Sequence, residues 1–134
     1  FSYILKNADK DTLRTFLNEN KNQTMGWSVR FFKPETKREY MVWVPAGGEK
    51  AHYPYFKETL SDTAYLPFID KKEALDIVFK FADNADISLD NMELSEEETI
   101  EKVNRTDYFF KFKATEKHKD NIADARMNLN FEVH

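Results

Sequence analysis

The sequence predicts an α+β domain: an antiparallel sheet of about five strands with two to four helices packed on one face. Three observations lead there. Residues 27–32 and 40–44 are alternating runs separated by a polar, proline-containing link, a hairpin pattern. Residues 71–82 carry an apolar stripe of helical period behind a capping sequence. Residues 108–114 and 127–133 alternate again. Adjacent hairpins mixed with helices favour α+β over a parallel α/β arrangement.

Residues 1–5 read as a short strand, with Phe1, Tyr3 and Leu5 set against Ser2 and Ile4. Asp9 then caps a helix whose apolar positions are Leu13, Phe16 and Leu17. In the hairpin, Trp27, Val29 and Phe31 oppose Ser28, Arg30 and Phe32. Tyr40, Val42 and Val44 share one face of the next run, and Met41 and Trp43 share the other. Both faces being apolar, this strand is expected to be central and covered on both sides. Residues 45–48 stop it. Residues 49–69 have no clean period and contain Pro54 and Pro67, so they read as a long loop pinned by its aromatic rings.

Asp70 and Glu73 fit a capping box ahead of Leu75, Val78, Phe79 and Ala82. Ser95, followed by Glu96, Glu97 and Glu98, reads as a second box opening a short helix through Ile100 and Val103. Residues 108–114 read as a half-buried strand, with Phe110, Phe112 and Ala114 inward and Lys111 and Lys113 outward. Residues 115–126 fit a helix or a charged loop. Leu129, Phe131 and Val133 mark the closing strand.

A chain of 134 residues fits one domain, here 1–134, large enough for one core. Its 41% hydrophobic and 15% aromatic content supplies that core. The 33% charged content is of mixed sign, as in a solvated surface. The start at Phe1 fits a mature form or a domain excised from a longer chain. With no cysteine there is no disulfide, thiol nucleophile or Cys-ligated zinc. No run approaches the roughly 18 apolar residues of a membrane span, and no signal peptide is visible. The expectation is a soluble, cytoplasmic protein with no membrane contact.

The charge is segregated. Residues 81–101 hold eight acids (Asp83, Asp86, Asp90, Glu93, Glu96, Glu97, Glu98 and Glu101) and no Lys or Arg. This stretch carries −8 and the remainder +4, for a net −4. Such a block creates a field that steers partners. Asp86, Ser88, Asp90 and Glu97 occupy oxygen-donor positions of a calcium loop, but Asn91 replaces its glycine and Glu93 its aliphatic residue. No metal or cofactor is expected.

Basic and aromatic residues interleave around Arg30 and Lys33 and around Lys111 and Lys113, a pattern used by single-strand nucleic-acid binders. Alternation along a strand, however, separates those lysines from the neighbouring Phe rings. His52, His118 and His134 lie far apart, and no nucleophile motif is present.

The sequence is expected to form a noncatalytic protein-interaction domain that binds a basic partner surface. The acids Asp83, Asp86, Asp90, Glu93, Glu96 and Glu97 would carry the contact, with Tyr53, Tyr55 and Phe56 alongside. A single-stranded nucleic-acid module using Arg30, Lys33, Lys111 and Lys113 is the alternative. A carboxylate-dependent enzyme or accessory domain is the third class.

Overall fold

The computed structural model describes residues 6, 9–19, 25–35, 37–46, 55–118, 121 and 126–134. The strand expected at 1–5 lies outside them. The chain forms two compact units, Phe1–Ser61 and Asp62–His134. The architecture is α+β, and among the described residues six antiparallel strands form two three-stranded sheets rather than about five strands in one.

In the first unit, α1 (Lys10–Glu19) begins where the Asp9 carboxylate accepts from the backbone N–H groups of Asp11 (3.0 Å) and Thr12 (2.8 Å). These bonds, Thr12's above all, hold the Asp9 carboxyl below its ordinary pKa by favouring the charged form. The sheet runs β1 (Gly26–Phe32), β2 (Glu39–Pro45), β3 (Phe56–Thr59), with β2 central as its sequence predicts. Residues 39–43 of β2 are half-buried rather than fully covered, and Trp27 on β1 is 70% exposed. Gly26 lies beneath the Trp43 ring. A Cβ there would stand 2.5 Å from ring carbons and collide with the Val44 carbonyl, so only glycine permits this approach.

The first correction is β3, which lies inside the segment expected to be irregular. Phe-Lys-Glu-Thr has no period of its own. It is extended because β2 offers an edge, pairing Val42 with Phe56 through Glu39 with Thr59.

In the second unit, α2 (Lys71–Asn84) opens with the expected capping box. Asp70 Oδ1 accepts from Glu73 N–H at 2.8 Å, and Glu73 Oε2 accepts from Asp70 N–H at 3.1 Å. The sheet runs β4 (Met92–Glu101), β5 (Thr106–Ala114), β6 (Asn128–Val133), with β5 central. Ala74 and Val78 of α2 join Tyr108, Phe110, Phe112 and Val133 in the core. Phe79 meets Phe112 edge-on at 6.1 Å, and Phe131 meets Phe112 at 5.7 Å. Tyr108 donates to the Ile69 carbonyl at 2.9 Å, tying the approach to α2 onto β5.

The end of α2 is also specified. Ile87 N–H reaches the Ala82 carbonyl at 2.8 Å and Asp86 N–H the Asp83 carbonyl at 3.1 Å. Asp86 takes a left-handed φ of 55°. This is a Schellman close, with buried Ile87 packing at its base. A turn then brings Met92 N–H to the Leu89 carbonyl at 3.1 Å, with Asn91 left-handed at φ 57°.

The second correction concerns 95–98, which is strand and not a helix start. Consecutive glutamates favour a helix N-terminus locally, but buried, apolar β5 requires a partner along that edge, and pairing prevails. The β4–β5 register runs from Met92 opposite Ala114 to Glu101 opposite Thr106, with an irregularity between Leu94 and Glu96. There the Ser95 hydroxyl donates to the Lys111 carbonyl at 3.0 Å. With strand following Asn91, the second helix of a calcium loop is missing. Residues 115–118 form a turn rather than the start of a helix. Among the described residues no helix is long and apolar enough to cross a membrane.

Candidate recognition surface

β4 gathers five of the eight acids, and all five are exposed: Glu93, Glu96, Glu97, Glu98 and Glu101. The irregularity at Ser95 distributes them over both faces. Directly paired residues share a face. Met92 and Leu94 stand opposite Ala114 and Phe112 on the α2 side. Beyond the irregularity, Glu97, Thr99 and Glu101 continue that side, opposite Phe110, Tyr108 and Thr106. Glu93, Glu96 and Glu98 occupy the other face, opposite Lys113, Lys111 and Phe109.

Two of these acids are partly neutralised. Lys111 Nζ donates to Glu96 Oε1 at 2.7 Å, and Lys71 Nζ donates to Glu97 Oε1 at 2.7 Å. Among the described residues, Glu93, Glu98 and Glu101 form no ion pair. Asp83 is exposed in the last turn of α2, and Asp90 is exposed in the turn before β4. Asp86 holds the left-handed position of the helix close, a conformational duty that its sequence pattern did not signal. The unit as a whole has 17 acidic and 10 basic residues, against 7 and 10 in the first unit.

Lys111 and Lys113 therefore share a sheet face with Glu96 and Glu93, and sit within the acidic surface instead of forming a separate basic one. In the first unit, Arg30 grips Glu39 with two bonds of 2.8 and 2.6 Å and covers the Phe32 ring at 5.1 Å. The hydrogen bond and the opposite charge of the partner hold the Arg30 pKa above, and the Glu39 pKa below, their ordinary values. Lys33 is exposed just after β1. Tyr55 and Phe56 each expose half their surface, and Phe56 stacks on Tyr40 at 5.9 Å. Tyr53 lies outside the described residues.

One polar cluster has no signature in the sequence. The buried Arg105 guanidinium donates to both oxygens of buried Asp107, at 2.7 and 3.2 Å. His134 Nδ1 lies 2.9 Å from the same carboxylate. Burial pushes the Asp107 carboxyl upward, but hydrogen bonds and attraction from Arg105 and His134 outweigh it and leave the pKa lowered. Sequence separation hides the His134 contact, which arises only because β6 lies beside β5. At the β4–β5 turn, Val103 is 87% exposed. Leu66 N–H donates to the Asn104 carbonyl at 3.3 Å, bringing a segment with exposed Tyr65 and Phe68 to this turn. Among the described residues, no group of three or more His, Asp or Glu side chains could hold a metal ion.

No protein-family model matches the chain, and comparison with curated proteins and with solved structures finds no match.

Proposed function

We propose that the chain is a noncatalytic protein-interaction domain that binds a basic partner surface through β4. The observation carrying this reading is the exposure of Glu93, Glu96, Glu97, Glu98 and Glu101 along one edge strand. Asp83 and Asp90 precede that strand and extend the same charge. A row of like charges raises the encounter rate with an oppositely charged surface more than it raises affinity. Tyr55 and Phe56 offer aromatic surface in the first unit. The nucleic-acid alternative loses support from the engagement of Arg30 by Glu39 and of Lys111 by Glu96.

The test begins with a partner recovered by affinity capture and verified by direct binding. Reversing Glu93, Glu96 and Glu97 to Lys should slow association by about tenfold at low salt and flatten its dependence on ionic strength. Association kinetics that stay the same in the triple variant would overturn the proposal.

A further inference from the structure

The outer edge of β4 carries backbone groups as well as charge. In an antiparallel ladder, residues alternate between facing the partner strand and facing away. The bond from Lys102 N–H to the Arg105 carbonyl, 2.8 Å, sets this phase at the hairpin turn. With the register that follows, Glu96, Glu98 and Ile100 face β5, while the N–H and C=O groups of Glu97, Thr99 and Glu101 point outward. Among the described residues, β4 pairs with β5 and with no other strand. Among the described residues, a strand edge without a second partner strand and a run of charge coincide over 96–101.

We infer that this edge takes an extended basic peptide as a fourth strand. The inference rests on the function proposed above and specifies the partner's form. Main-chain bonds to Glu97, Thr99 and Glu101 provide affinity in such an addition, and flanking side chains provide selectivity. Lys or Arg on the incoming strand meets Glu93, Glu96 and Glu98 on one face, or Glu97 and Glu101 on the other. A second copy of β4 is disfavoured as occupant, because two strands that each carry five carboxylates repel one another. Charge thus selects the partner, and the open backbone selects its extended conformation.

The probe is a blocked octapeptide of alternating lysine and threonine. Its control is the same peptide with every backbone amide N-methylated, which keeps the charge and removes the main-chain donors. We expect the first to bind at low salt and to slow hydrogen exchange at the Glu97, Thr99 and Glu101 amides. The control should bind at least about tenfold more weakly, from the loss of several main-chain bonds, and should leave those amides unprotected. A Thr99→Pro variant removes one outward N–H at an edge position that tolerates proline. It should weaken the unmethylated peptide several-fold with its own fold intact. Equal binding of the two peptides would overturn strand addition and leave the charge-steered docking standing. Binding of neither would overturn both.

Discussion

Lys111 on β5 holds Glu96 on β4 with a 2.7 Å ion pair across the exposed face of the second sheet. The pair links a residue of the basic strand with a residue of the acidic strand, two groups that the linear charge pattern keeps apart. It lowers the local excess of negative charge without abolishing it, since Glu93, Glu98 and Glu101 have no comparable partner among the described residues. The side chains are 35% and 68% exposed, so water and salt screen the interaction. A double-mutant cycle with Lys111→Ala and Glu96→Ala should give a coupling of only about 0.2–1 kcal/mol, shrinking as salt rises. Chemical denaturation at two ionic strengths measures it.

Phe110 is the largest side chain wholly enclosed in the second unit. Phe110→Ala should destabilise that unit by about 3–5 kcal/mol, combining lost transfer energy with a cavity. Amide exchange in β5 is the suitable readout, because Trp27 and Trp43, the chain's two tryptophans, both belong to the first unit. Phe32→Ala, at a site 61% exposed, should cost less than about 1 kcal/mol.

Asp107 should make the second unit sensitive to acid. Its folded pKa lies below the unfolded value of about 3.9, so it contributes stability above that value. The contribution declines as pH falls through about 4 toward the lowered folded pKa. Asp107→Asn should flatten stability against pH in this acidic range, and should lower stability at neutral pH by removing the carboxylate that the Arg105 guanidinium grips with two bonds. Arg105→Ala should cost about 3–5 kcal/mol at neutral pH, because it leaves a buried carboxylate without its main partner. Amide exchange in β5 at several pH values tests both. A profile for Asp107→Asn identical to that of the unaltered chain would refute the assignment.

Much of the fold was legible in short-range patterns. The hairpin of β1 and β2, the capping box of Asp70 and Glu73, and the inward faces of β5 and β6 all follow from spacings of two to four residues. The acidic stretch was equally legible. Three features were not. β3 has four residues and no period, Ser95 with its glutamates imitates a helix cap, and Asp86 occupies a left-handed position usually given to glycine.

What the chain's linear order determined by itself was its class, the hairpin of β1 and β2 and the segregation of its charge, because these depend on neighbours along the backbone. Tertiary structure decided that the glutamates form an edge strand, that Lys111 meets Glu96, and that Arg105, Asp107 and His134 converge. Strand pairing joins residues distant in sequence. Burying the apolar side of β5 requires strands along both its edges, and that requirement outweighs the helical preference of Glu96, Glu97 and Glu98.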